Sequence, residues 1–191
     1  MFDFLTQFVF HPVKTGAVLP TGNELSNLIT DLALIGKNPN ETVVELGSGT
    51  GVFTEQILKK ITSDAVFFSI EINPIFVEMT RKKCPKALVY EDSAVNIGKY
   101  LKINGRKGCD SIISGLPWAG FSEELQQELL NSILNSLKSG GKFVTFAYIH
   151  GQYLKAGERF KELLKKNFSK VEKSKIVWKN FPPAFVYDCT K

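Results

Sequence analysis

The sequence predicts a doubly wound α/β fold: a mostly parallel, seven-stranded sheet with helices on both faces and helices ahead of it. Three observations carry that reading. Short β-branched or apolar runs alternate with segments of helical period, turn-forming residues separate them, and a glycine loop joins the first strand to the helix after it. At 191 residues the chain suits one domain with its own core, with 1–36 as a helical prelude and 41–191 as the α/β part.

Residues 2–10 read as a short apolar helix. Thr21-Gly22-Asn23-Glu24 is then a capping box, and Leu25, Leu28, Ile29, Leu32 and Ile35 follow at helical spacing. Thr42–Leu46 is the first strand and Val52–Ile61 the helix after it. Ala65–Ile70 is the second strand, after which Asn73 caps a helix with Pro74 at its first position. Ala87–Tyr90, Asp110–Ser114 and Phe143–Tyr148 are strands three to five. The helix Ser122–Leu137 precedes the fifth and ends at Ser139-Gly140-Gly141. Lys155–Lys166 is a basic helix, and Lys175–Trp178 with Ala184–Cys189 is the closing strand pair.

Composition narrows the surroundings. No stretch approaches bilayer-spanning length, and MFDFLTQFVFHP has neither the basic start nor the cleavage site of a secretory signal. Cys84, Cys109 and Cys189 lack metal-type spacing, and their odd number argues against a disulfide framework, so a reducing cytoplasm is expected and no metal. A net charge of +5 with pI near 9.0 suits an anionic partner, nucleic acid or an acidic membrane surface; a Lys-rich soluble surface accounts for it equally well.

The first strand runs into Glu45-Leu46-Gly47-Ser48-Gly49-Thr50-Gly51. Glycines between a strand and a helix let backbone approach a ligand where a Cβ would collide, and in an open α/β sheet that loop lies at the ligand crevice. Glu71 closes the second strand, where a carboxylate can accept from both hydroxyls of a ribose. Val52 stands where a dinucleotide fingerprint has Gly or Ala. With Glu45 inside the strand, the E-x-G-x-G-x-G pattern instead resembles motif I of the class I S-adenosylmethionine (SAM)-dependent methyltransferases, whose fold is Rossmann-like. Glu91-Asp92-Ser93-Ala94 resembles their adenine-holding segment. The resemblance implies SAM as cofactor, bound by Glu45, Gly47, Ser48, Gly49, Gly51, Glu71, Ile72, Asp92, Ser93 and Ala94, with Asp92 accepting from the adenine amine and Ile72 packed on the purine.

The methyl acceptor turns on Ser114-Gly115-Leu116-Pro117-Trp118 after the fourth strand. Adenine amino-methyltransferases carry Asn or Asp where this chain has Gly115, and so hold a planar amine that a basic alkyl amine has no need of. His11-Pro12, Gly16-Ala17-Val18-Leu19-Pro20, Ser114-Gly115-Leu116-Pro117 and Pro182-Pro183-Ala184-Phe185-Val186-Tyr187 together resemble the bacterial phospholipid N-methyltransferases, themselves similar to the ribosomal RNA adenine dimethyltransferases. That resemblance implies methylation of phosphatidylethanolamine toward phosphatidylcholine at the inner face of a membrane, with no obligate protein partner. Gly115, Trp118 and Tyr148 are the expected reaction-site residues: Trp118 as a cation–π platform or as core, Tyr148 as a proton acceptor or as filling for the pocket mouth. His150 reads as a solvated loop residue. Phe2, Phe4, Leu5, Phe8, Val9 and Phe10 either enter the membrane interface or cap the cofactor, and the basic run Lys155–Lys179 either attracts anionic lipid or is a solvated face. Two alternatives stay open: an RNA or protein methyltransferase, for which nucleic acid becomes a partner, and a non-catalytic cofactor-binding module.

Overall fold

The computed structural model describes residues 22–191; the apolar segment 2–10, the motifs at 11–20 and Thr21 lie outside the described residues. Helix α1 (Asn23–Leu32) leads into β1 (Thr42–Leu46), α2 (Val52–Lys60), β2 (Val66–Glu71), α3 (Pro74–Lys83) and β3 (Leu88–Glu91). A 3-10 turn at Ala94–Asn96 opens α4 (Ile97–Ile103). Then come β4 (Cys109–Ser114), a 3-10 turn at Trp118–Gly120, α5 (Glu123–Ser136), β5 (Leu137–Tyr148), a 3-10 turn at Ile149–Tyr153, α6 (Lys155–Asn167), β6 (Lys170–Lys173) and β7 (Ala184–Thr190).

The seven strands form one sheet in the order β3-β2-β1-β4-β5-β7-β6. The first five are parallel, and β7 runs antiparallel to both of its neighbours. The order reverses between β1 and β4, so the crevice at their carboxyl ends is where a ligand belongs. One face of the sheet packs Val44, Leu46, Phe68 and Phe143 against Ile97 and Leu101 of α4, Leu130 and Ile133 of α5, and Phe160 and Leu164 of α6. The other packs Val43, Ile113, Val144 and Val186 against Leu25 and Ile29 of α1 and Phe53 and Ile57 of α2. Strands buried on both faces explain the near-continuous apolar runs of β1 and β4.

Asn73 caps α3 as its sequence predicts, its Oδ1 accepting from the Ile75 amide at 2.9 Å, with Pro74 first in the helix. Four expectations are corrected. Gly22, without a side chain to cap with, is the N-cap of α1, one residue later than the capping box implies. The sixth strand is Lys170–Lys173, while 175–178 contributes only the bridge between Val177 and Ala184. An edge strand needs one apolar side chain, here Val171, and so carries little hydrophobic pattern. Strand β5 begins at Leu137 and absorbs the Gly140-Gly141 turn, with a register shift against β4 at Cys109 and Ser111. Helix α4 was not expected from the sequence, although Ile97, Tyr100 and Leu101 supply its buried face.

Candidate active site

The glycine loop leaves β1 with Gly47, Gly49 and Gly51 all at positive φ, a conformation costly for any residue with a Cβ. The Gly47 amide donates to the Ile70 carbonyl at 2.8 Å, and the Gly51 amide to the Ser48 carbonyl at 2.9 Å. A Cβ on Gly49 would meet nothing within 4 Å, so the crown of the loop faces open space. Thr80 of α3 braces it from behind: its hydroxyl sits 3.0 Å from the Gly49 carbonyl oxygen and 3.1 Å from Ser48 Oγ. Sequence reasoning missed Thr80. The signal was a polar residue on the apolar stripe it shares with Val77 and Cys84.

Glu71 is buried at the end of β2, where Oε2 accepts from the Gly49 amide at 3.0 Å and Oε1 from the Asn73 amide at 2.9 Å. Burial raises its pKa against the pull of those amides. The carboxylate thus ties the loop to β2, and each oxygen keeps a second lone pair for a ligand hydroxyl. Ile72, next in line, is half exposed, an apolar face beside an acid.

Glu45 occupies a different place from the one its motif implies. It is fully buried behind the loop, where Oε2 accepts from the Thr54 hydroxyl of α2 at 2.7 Å. Burial pushes its pKa from 4.5 up to about 7. Ser69, its register partner on β2, opposes that rise, although its Oγ makes no hydrogen bond of ordinary geometry. Glu45 therefore ties β1 to α2 and presents no surface to a ligand.

Asp92 is already engaged. Its Oδ1 accepts from the Ser93 amide at 2.7 Å and Asn96 Nδ2 at 2.8 Å, and its Oδ2 from Lys99 Nζ at 2.9 Å and the Tyr100 hydroxyl at 2.7 Å. These four donors hold its carboxyl well below the usual carboxylate range. Asp92 pins the start of α4, and an adenine amine would have to replace one of those donors. Ser93 caps the 3-10 turn, its Oγ accepting from the Val95 amide at 3.4 Å, and Ala94 is buried in the core.

The loop after β4 corrects the expectation for Gly115 and decides between the two for Trp118. Gly115 faces the glycine loop: a Cβ on it would lie 2.6 Å from the Gly47 carbonyl oxygen. Close approach of two backbones, not the chemistry of an acceptor alone, excludes a side chain there. Trp118 is core, 3% exposed and stacked on Phe160 at 4.3 Å, with edge contacts to Phe121 and Phe143. Its Nε1 donates to Ser114 Oγ at 3.1 Å, so no open ring face remains for a substrate cation. The loop is fixed by the buried Gln126, whose Nε2 donates to the Trp118 carbonyl at 2.7 Å and the Ala156 carbonyl at 3.0 Å. Tyr148 ends β5, parallel to His150 with ring centroids 5.7 Å apart and edge-on to Phe146. Burial raises its pKa, so it stays a neutral phenol. His150 is exposed, as its loop position predicts.

No family model matches the chain. An ornithine lipid N-methyltransferase from Singulisphaera acidiphila is 27% identical over 191 residues, covering 98% of this chain and 94% of that protein. Among solved structures, the N-methyltransferase NodS from Bradyrhizobium japonicum aligns with a TM-score of 0.69 at 12% identity, over 88% of this chain and 94% of its own. A magnesium protoporphyrin IX methyltransferase from Synechocystis with bound SAM aligns with a TM-score of 0.68 at 11% identity, over 88% and 79%. Fold, glycine loop and relatives agree on the class: the chain is a SAM-dependent methyltransferase with the Rossmann-like class I fold. Its full-length relative acts on a lipid amine.

Proposed function

We propose that the chain methylates the primary amine of a membrane lipid. Phosphatidylethanolamine is the acceptor that the sequence motifs imply, and ornithine lipid the one that the full-length relative suggests. The observation that carries the reading is the Gly47–Gly115 approach. Position 115 has no room for the Asn or Asp that would hold a planar nucleobase amine. A basic alkyl amine has a free lone pair once deprotonated and needs no such group.

The residues present fit SAM. The open crown at Gly49 leaves space for a ligand against backbone, Glu71 retains lone pairs for ribose hydroxyls, and exposed Ile72 offers a face to the adenine. Main chain at 92–94 would line the adenine edge, Thr80 holds the loop, and Glu45 ties the strand before it to the helix after it. When bound, SAM would supply an electrophilic methyl group, held on a sulfonium, to the lone pair of the acceptor amine. The protein's part is alignment and exclusion of water. Partial burial of the acceptor in the crevice would favour the neutral amine. Tyr148, held as a phenol, can accept a hydrogen bond from that amine but does not take its proton as a phenolate.

Labelled SAM offered together with phosphatidylethanolamine, ornithine lipid and RNA tests the reading. Label is expected in the lipid fraction, at a rate that rises from neutral to mildly alkaline pH as the amine loses its proton. Glu71→Ala should weaken binding of the demethylated cofactor by about 1.5–3 kcal/mol in calorimetry. Methylated adenine in RNA digests with no labelled lipid would overturn the acceptor.

A further inference from the structure

We propose that the rim formed where β5 ends and β7 begins is a docking surface for an anionic phospholipid bilayer. Tyr148 at the end of β5 pairs with Ala184 at the start of β7, so the segments 149–154 and 174–183 leave the sheet at one place. They are also bonded to each other, the Ile149 amide donating to the Pro183 carbonyl at 3.1 Å, and Lys173 at the end of β6 donates from Nζ to Gln152 Oε1 at 2.9 Å. Along these two segments the chain exposes Tyr153 (75%), Trp178 (70%) and Phe181 (74%), together with Leu154 and Ile176. Five large apolar side chains left exposed on two adjoining segments mark an interaction surface.

Charge selects the partner. Lys155, Lys175 and Lys179 stand exposed on the same segments or next to them, and among the described residues the ion pair they make is that of Lys179 with Glu24, at 3.8 Å. Cations bordering Trp, Tyr and Phe suit an anionic headgroup layer, where rings sit at the interface and ammonium groups meet phosphates. Leu154 and Ile176 favour lipid over single-stranded RNA, because branched aliphatics enter an acyl boundary but stack on no base. The rim lies at the carboxyl end of the sheet, the same end as the glycine loop. Docking there would bring the crevice against the headgroups, so that a lipid could reach it without leaving the bilayer. This orientation rests on the reading that the acceptor is a membrane lipid.

The test is co-sedimentation of the full chain with vesicles containing phosphatidylglycerol and with vesicles of phosphatidylcholine alone, for three proteins. These are the unsubstituted protein, Trp178→Ser/Phe181→Ser, and Lys155→Gln/Lys175→Gln/Lys179→Gln. All the substituted side chains are exposed, so the fold should persist, and unchanged calorimetric binding of the demethylated cofactor checks it. The unsubstituted protein should bind the anionic vesicles and be released by salt; each variant should bind them about tenfold more weakly. Methylation of a short-chain lipid dispersed in detergent should stay within about twofold of the unsubstituted rate in both variants, because docking is bypassed there. Vesicle binding that is absent in the unsubstituted protein, or undiminished in the aromatic variant, overturns the proposal. So does a loss confined to single-stranded RNA binding. If docking depends on Trp178 and Phe181 but no lipid is methylated, the acceptor assignment fails and the surface stands. Lipid methylation with undiminished docking in the aromatic variant keeps the acceptor and removes the surface.

Discussion

Gly115 and Gly47 sit so close that any Cβ on Gly115 meets a carbonyl oxygen at 2.6 Å. Gly115→Ala should therefore cost about 1–3 kcal/mol of stability and weaken binding of the demethylated cofactor, since the displaced partner is the glycine loop itself. Denaturant titration and calorimetry on the same preparation check this; an unchanged midpoint with unchanged affinity would show that the two loops separate freely. It follows that Gly115→Asn impairs methylation of any acceptor and does not discriminate lipid from adenine. Glu45 gives a second residue-level prediction, through pH. Its folded pKa, about 7, lies above its ordinary 4.5. The contribution to stability is thus complete below about pH 4.5 and is lost as pH rises toward 7, about 3 kcal/mol at about 1.4 kcal/mol per pH unit. Glu45→Gln, neutral throughout, should lack that decline, and unfolding free energies measured between pH 5 and 8 should separate the two proteins, rising above about 1 kcal/mol at the alkaline end. Parallel pH profiles would mean that Glu45 titrates as an exposed carboxyl does.

At the scale of elements, α6 and the loop after β4 form one packing unit through the stack of Trp118 on Phe160. Phe160→Ala should destabilise by about 3–5 kcal/mol. Trp118→Phe, which keeps a ring in that stack, should cost about 1–2 kcal/mol and leave kcat/KM for the lipid within about threefold. A collapse of kcat/KM without loss of stability would return Trp118 to the reaction site. The same pair shows what sequence could and could not reveal. Gly47, Gly49, Gly51 and Glu71 were legible because a positive-φ loop and a strand-end acid are demands of local backbone and chemistry. Trp118 was legible only as one of two readings, platform or core, because the ring that covers it arrives from a helix far along the chain. Gly115 was recognised as lacking a side chain, but the reason lies across the crevice in Gly47. Asp92 was placed at the right strand end, yet two of its four donors, Lys99 and Tyr100, come from α4, whose seven residues are too short for a strong periodic signal. Strand β6 escaped for the opposite reason to β1: an edge needs almost no apolar pattern to pair.

For the whole molecule, chain order and spatial order disagree at one place. Strand β7 follows every other strand in the sequence but lies inside the sheet, between β5 and β6. During synthesis a chain that has emerged as far as Lys173 therefore carries two strands whose shared partner does not yet exist. The inward edge of β5 stays bare, with Phe143 and Val144 beside unpaired amides and carbonyls. Bare apolar edges of this kind recruit other chains, so the interval before residues 184–190 leave the ribosome is when this protein is most exposed to aggregation. The native pairing also joins residues far apart in sequence, from Lys142 with Thr190 to Tyr148 with Ala184, and such closures are slow. Translation speed over residues 174–190, and whatever holdase waits at the exit, thus bear on the yield of folded protein as directly as any contact in the finished fold.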